Sequence, residues 1–249
     1  MAESRFVIVY QFPVSHYCEK VRWILAAKGL PHEIANLFPG MHSRLLRARG
    51  GTTVPALQDG ATFVADSSAI ALYLEQRAAV PPLLPSDPDE RRSVLEWVQY
   101  FDADIGPAVR VLVYSYLTER STSFVRAFFS GYGRLQRLAG AAANVPIRRW
   151  IRRTYGIDVV ARDLARHKVF AAMDRLEHAL GQRRSFFLFG DALSLADITT
   201  AALLAPLIMP AKSPYHDASV FPSEILAMRD DLRTRPGGQW VLALYAAHR

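Results

Sequence analysis

Gln11-Phe-Pro-Val-Ser-His-Tyr-Cys-Glu-Lys-Val-Arg-Trp23 is the stretch on which the reading of the whole chain turns. Ahead of it, Phe6–Tyr10 is a short apolar run, β-branched enough to predict a buried strand. Behind it, Val21, Leu25 and Lys28 recur at helical spacing around Trp23 and Ile24. Pro13 and Val14 supply a turn, and Ser15 stands where the helix begins, a favoured N-cap residue. A helix N-terminus directs unpaired N–H groups and roughly half a positive charge at whatever faces it. Ser15 is therefore held where a thiolate, carboxylate or phosphate would be stabilised.

Outward from this stretch, the first eighty residues alternate strand and helix signals. A helix over Ser15–Lys28 stops at Gly29, Pro31–Leu37 reads as a second strand, and Met41–Arg49 is weakly helical. Thr52–Gln58 reads as a third strand, and Asp59-Gly60 turns it into Thr62–Val64. Asp66 or Ser67 then caps a helix running to about Arg77. The order β-α-β-α-β-β-α predicts a small mixed sheet with helices on both faces, a thioredoxin-like α/β domain.

Ala79-Val-Pro-Pro-Leu-Leu-Pro-Ser-Asp-Pro88 is a proline-rich boundary, so the chain divides into a domain over 1–80, a linker over 81–88 and an all-helical domain over 89–249. There Trp97, Phe101, Ile105, Ala108 and Leu112 form an apolar stripe that Gly106-Pro107 should kink. Asp158–Leu180 is an amphipathic helix carrying Leu164, Met173, Leu176 and Leu180 inward, and Ser194-Leu-Ala-Asp197 has the spacing of a capping box. Phe221–Arg233 and Gly238–His248 close the helical set.

At 249 residues and 51% hydrophobic, the chain can bury one large core or two small ones. The opening Met-Ala-Glu-Ser-Arg is followed by too short an apolar run for a signal peptide, and no stretch approaches the roughly 18 apolar residues of a membrane span. A single cysteine excludes an internal disulfide and a multi-cysteine zinc site, which suits a cytoplasmic protein and predicts no metal. The net charge of +7 is local: Arg120–Ile157 holds eight arginines and no Asp or Glu, and without it the chain carries −1. Such a distribution does not describe a nucleic-acid-binding protein.

Three stretches, Ser15-His-Tyr-Cys18, Thr53-Val-Pro-Ala-Leu57 and Asp66-Ser-Ser-Ala-Ile-Ala-Leu-Tyr-Leu74, together resemble the glutathione transferase family in its bacterial or omega-like Cys/Ser-x-x-Cys form. The resemblance implies a thioredoxin-like domain followed by an all-α bundle, glutathione as co-substrate, a hydrophobic electrophile as acceptor, and a homodimer. It assigns Ser15 to the sulfur of glutathione, whose thiolate is the nucleophile. Gln11 stands where tyrosine-type members carry a phenol, and Tyr10 points the other way by strand alternation. A serine in the first position of Ser15-x-x-Cys18 removes dithiol chemistry, and Cys18 one turn on reads as buried and inert.

The same resemblance implies a cis Val54–Pro55 bond, with the backbone of Val54 reading the peptide like an added strand. Asp66 and Ser67 are to hold the γ-glutamyl end, although both also read as a plain cap. For the glycyl carboxylate the candidates are His42 and Arg44, ahead of Arg47 and Arg49 in the same connection. The electrophile is placed among Pro13, Val14, Tyr17, Tyr100, Asp104 and Tyr114, though aromatic residues at helical spacing are commonly core.

The segment at about 120–157 looks like an insertion. Phe124, Phe128, Tyr132, Leu135 and Leu138 read as one helical face and Arg126, Arg134 and Arg137 as another, followed by Arg148, Arg149, Arg152 and Arg153 around Trp150. It is either a helix pair covering the substrate site or a surface for anionic membrane or an acidic partner. The corresponding alternative to a transferase is a non-catalytic binding or targeting protein on the same scaffold.

Overall fold

A computed structural model describes residues 7–249. Phe6, placed at the start of the first strand, lies outside the described residues. The chain runs β1 (Val7–Gln11), α1 (His16–Ala27), β2 (His32–Asn36), α2 (His42–Arg47), β3 (Ala56–Asp59), β4 (Thr62–Ala65) and α3 (Ser67–Arg77). The sheet order is β2-β1-β3-β4, with β2 parallel to β1 and β3 antiparallel to it, pairing Val9 with Ile34 and with Leu57. Val7, Val9 and Gln11 face inward along β1, and Ile8 and Tyr10 are half-buried on its other face. This is the thioredoxin-like arrangement, and an all-helical domain follows it.

That domain consists of α4 (Pro88–Tyr100), a π turn (Phe101–Ile105), α5 (Gly106–Leu117), α6 (Ser121–Phe128), α7 (Arg134–Ala142), α8 (Asn144–Thr154), α9 (Val159–Gln182), α10 (Leu195–Ile208), α11 (Ser223–Thr234) and α12 (Pro236–His248). Every residue of α10 is buried, and it packs on α1, α4, α5, α11 and α12. Its first turn is held by a reciprocal box. The Ser194 N–H donates to Asp197 Oδ2 at 2.8 Å, the Asp197 N–H donates to Ser194 Oγ at 3.3 Å, and Leu188 N–H reaches Asp197 Oδ1 at 2.8 Å. Burial pushes the Asp197 carboxyl above the usual carboxylate range, opposed by those donors.

Buried lysines at α1 and its C-cap tie the first domain to the second and to the connection between them. Lys20 Nζ lies 2.6 Å from the Asp102 carboxylate and 3.1 Å from Ser68 Oγ. Lys28 Nζ pairs with Glu75 at 2.7 Å and donates to the carbonyls of Ala78 and Pro81, while Glu75 accepts the N–H groups of Leu83 and Leu84. The proline-rich connection is thereby clamped rather than free.

Two details of the helical domain sharpen or correct the expectation. The expected break at Gly106-Pro107 takes the form of π pairing over the preceding turn, Phe101–Ile105. Pro107 has no N–H to donate, and the wider turn absorbs the missing bond and adds a residue, which rotates α5 about its axis. On α9 the inner stripe is Ala165, Val169, Ala172, Met173 and Leu176, while Leu164 is 58% exposed, so small residues let α9 lie close on α5.

Candidate active site

Ser15 is the N-cap of α1, with extended backbone (φ −97°, ψ 125°), and its Oγ accepts the Cys18 N–H at 3.3 Å. It is half-buried on the wall of a cleft of about 100 Å3, shared with Phe12, His42, Val54 and Trp150. Cys18 is wholly buried, and burial pushes its thiol up. The Gln11 side chain is engaged by Arg22 and by Asn36, and Tyr10 lies under Arg49 on the opposite face of the strand.

Around this cleft the Val54–Pro55 bond is cis. His42 lines the cleft, 4.8 Å edge-on to Phe12, with Nδ1 buried and unpartnered among the described residues. Burial holds its pKa below the ordinary histidine value, which favours the neutral imidazole. Arg44 and Arg47 are exposed and do not line it, and Arg49 sits over Tyr10.

Asp66, not Ser67, is the cap of α3: its Oδ1 accepts the N–H groups of Ser68 and Ala69 at 2.8 and 3.1 Å. The residue holds φ at 81°, a conformation that costs a non-glycine residue energy and is met at functional sites. Ser67 is 2% exposed. Asp66 and Ser68 share a second cleft with Asp102, whose Oδ1 is buried and unpartnered among the described residues.

A larger cavity, about 350 Å3 and mainly apolar, adjoins the first; Pro13, Val14, Val113, Tyr114 and Phe128 are among its walls. His16, Arg110, Tyr114 and Phe128 line both. Of the side chains assigned to an electrophile, Val14 and Tyr114 reach the larger cavity and Tyr17 the smaller cleft. Tyr17 is committed structurally, its hydroxyl donating to the Asp102 carbonyl at 2.7 Å. Gly106 makes room for that ring, since a Cβ there would stand 2.2 Å from the phenol oxygen.

Tyr100 and Asp104 are not brought to either cavity. Tyr100 lies under Arg175, 4.1 Å from its guanidinium carbon, and Asp104 pairs with Lys168 at 3.2 Å, both on the α9 side. The π turn rotates the helix, so Val109, Arg110, Val113, Tyr114 and Leu117 face the cavity instead.

His16 is a residue whose role the sequence hid. Its Nε2–H donates to the Gly106 carbonyl at 3.1 Å, and burial, aided by the nearby Arg110 charge, lowers its pKa to about 3. Arg110 carried no sequence signal at all, being one arginine on an apolar helix.

The Arg120–Ile157 segment forms three helices rather than one face. Phe124, Phe128, Phe129 and Tyr132 are buried, with Phe129 5.7 Å from Phe38 and the Tyr132 hydroxyl donating to the Leu37 carbonyl at 2.7 Å. Leu135 and Leu138, expected beside them, are 83% and 68% exposed because the chain turns at 129–133 and restarts as α7. Arg148 and Arg152 are not free surface charges: they reach the Thr118 carbonyl and Thr118 Oγ1, at 2.7 and 3.2 Å, closing the end of α5. Trp150, Ile151 and Tyr155 wall the small cleft and Ala127, Phe128 and Gly131 the large cavity, so the segment covers the site.

No helix among the described residues is long and apolar enough to cross a membrane, and no group of three or more His, Cys, Asp or Glu among them is placed to hold a metal ion. The chain is 31% identical over 148 residues to glutathione S-transferase Z2 of Arabidopsis thaliana, covering 55% of this chain and 66% of that one. With glutathione S-transferase 1 of Dianthus caryophyllus it shares 32% over 123 residues, 48% of this chain and 56% of that one. These matches thus span only part of those relatives' length. In fold it is similar to the beta-etherase LigF of Sphingobium sp. strain SYK-6, with a TM-score of 0.61 at 23% identity over 95% of this chain and 98% of that one. The glutathione S-transferase N-terminal domain model matches residues 9–82 and the C-terminal domain model residues 159–236, one on each side of the arginine-rich segment. The chain belongs to the glutathione S-transferase family.

Proposed function

We propose that this protein is a cytoplasmic, homodimeric glutathione transferase that activates the thiolate of glutathione at Ser15 for attack on a largely apolar electrophile. The observation that carries the reading is the pairing of two spaces: a small cleft with Ser15 at a helix N-terminus, opening beside a larger apolar cavity through shared walls. In this reading Ser15 receives the Cys18 N–H as a cap and keeps its own O–H to donate to sulfur, which with the helix N-terminus favours the thiolate. The thiol proton leaves to water. The sulfur lone pair forms the C–S bond, and the electron pair of the broken bond departs with the leaving group or into a conjugated carbonyl that is then protonated.

Glutathione would meet the Val54 backbone in its middle, the unpartnered Nδ1 of His42 at its glycyl end, and Ser67 with the free oxygens of Asp66 and Asp102 at its γ-glutamyl end. Arg44 drops out of the set because it is exposed and away from the cleft. Titration calorimetry with glutathione, followed by a panel of electrophiles, tests this. Saturable binding with conjugation supports it; binding without turnover of any acceptor favours the non-catalytic alternative; no binding overturns both.

A second reading concerns α7, where Leu135 and Leu138 stand exposed beside Arg134 and Arg137, which are exposed and unpaired among the described residues. This pattern suits the headgroup layer of an anionic membrane, at roughly 1 kcal/mol per basic residue close to the surface and screened by salt. Salt-sensitive flotation with anionic but not neutral vesicles, lost in Arg134→Gln/Arg137→Gln, is the expected result. Absence of binding at low salt leaves the segment as a cover for the site alone.

A further inference from the structure

Arg110 projects from α5 onto the wall shared by the two cavities and has no counter-charge there among the described residues. Its guanidinium carbon lies 4.4 Å from the centre of the Tyr155 ring and 6.0 Å from that of Tyr17, so aromatic faces hold it in place. Among the described residues it makes no hydrogen bond and no ion pair, and its Nε is buried without a partner. A guanidinium offers five N–H donors in a planar fork, and buried donors are nearly always satisfied. The carboxylate that lines the larger cavity, Asp217, accepts the N–H and hydroxyl of Ser219 at 3.0 and 2.6 Å and does not pair with Arg110. The charge of Arg110 is felt on all sides. Burial is the largest influence on His16, Tyr17 and Tyr114, and Arg110 pushes each toward its less positive or more negative form.

We infer that the acceptor bound in the larger cavity carries a carboxylate, which Arg110 grips with its free fork while the apolar remainder lies against Val113, Tyr114 and Phe128. The inference rests on the proposed reading of that cavity as the acceptor site, and it narrows the acceptor from any apolar electrophile to an acidic one. The geometry suits the role. A fork already stacked on Tyr155 loses little freedom on binding, and planar guanidinium matches planar carboxylate with two parallel bonds. Because Arg110 also lines the cleft of Ser15, an acid anchored there keeps its reactive carbon near the place proposed for the sulfur.

The test is equilibrium binding to the full chain without glutathione, using 2-naphthoate and the uncharged 2-naphthylmethanol as matched probes. The expected result is at least tenfold tighter binding of the acid by the unaltered protein. Arg110→Gln should remove that preference and leave the alcohol bound, and Arg110→Lys should keep only part of it, since the charge survives but the fork does not. Equal affinity for the two probes in the unaltered protein overturns the inference without reference to any variant. So does a preference that survives in Arg110→Gln, which would assign it to the helix N-terminus. Glutathione titrated separately into Arg110→Gln distinguishes a third case: loss of glutathione binding with the acid preference intact places Arg110 in the peptide's cleft instead. If the unaltered protein binds no glutathione, the proposed transferase reading fails, while the naphthoate comparison still decides whether this is an acid-binding cavity.

Discussion

The two adjoining cavities differ in how they are made. The small cleft around Ser15 is built from polar groups whose positions follow from local backbone geometry: a helix cap at Ser15, the cis bond at Val54–Pro55 and a buried His42. The large cavity is built from apolar side chains drawn from α5, α6 and the loop around Tyr215, whose hydroxyl donates to the Val14 carbonyl at 3.0 Å. The small cleft offers polar groups at fixed places, and the large cavity offers mainly apolar walls with the Arg110 guanidinium on the side it shares with the cleft. On the proposed reading, local backbone devices set the peptide's cleft, and what the helical domain lays against it sets the acceptor's cavity.

The comparison breaks most directly at Ser15. Ser15→Ala removes the one hydroxyl at the start of α1, so conjugation should fall by about 2 kcal/mol, roughly thirtyfold, with the glutathione dissociation constant nearly unchanged. The dipole and the free N–H groups remain, which keeps the loss below that of a full oxyanion donor. Steady-state rates against calorimetric affinity check this. A variant with unaltered turnover would move the role away from Ser15.

The wall between the cavities gives a pH signature. His16 titrates near 6.5 when unfolded and near 3 when folded, so the unfolded chain binds its proton first. Stability from this residue is therefore complete above pH 6.5 and is lost as the pH falls from 6.5 toward 3, by about 2 kcal/mol between pH 6.5 and pH 5. His16→Gln retains a donor for the Gly106 carbonyl but cannot titrate. Denaturant unfolding at several pH values should show a shallower acid slope for the variant, and equal slopes would place the titration elsewhere.

The third experiment narrows only the large cavity. A Cβ at Gly131 would stand 2.3 Å from Pro13 Cβ, and the proline ring has little room to yield. Gly131→Ala should cost about 1–2 kcal/mol of stability and weaken apolar ligands while sparing glutathione. Equal loss of both would mean that the two spaces are one site.

The smallest effect is expected at Ser67. Asp66 already caps α3, so Ser67→Ala should raise the glutathione dissociation constant about fivefold, close to 1 kcal/mol, with stability changing by less than that. A collapse in unfolding midpoint with unchanged affinity would make the pair purely structural.

Much of the fold and of the small cleft is legible in the sequence because the devices are short-range. A cap at Ser15, the Asp66 turn and the Ser194–Asp197 box each join side chain and backbone within four residues, and strand alternation places Tyr10 opposite Gln11 without any knowledge of the partner strands. Such contacts form from local geometry, so residue type and spacing suffice to specify them, and with them the order of the α/β domain and the family. The larger cavity is beyond that reach. The family resemblance places Tyr100 and Asp104 there, but the π turn that follows Tyr100 changes the helix face, and Arg110 and Val113 line the cavity instead. Leu135 and Leu138 read in line with Phe124, and the turn at 129–133 separates them. Arg148 and Arg152 read as free charge, whereas the end of α5 takes their donors. Those outcomes depend on which surfaces meet between segments far apart in the chain, and packing, not periodicity, decides which face of a helix a neighbour covers.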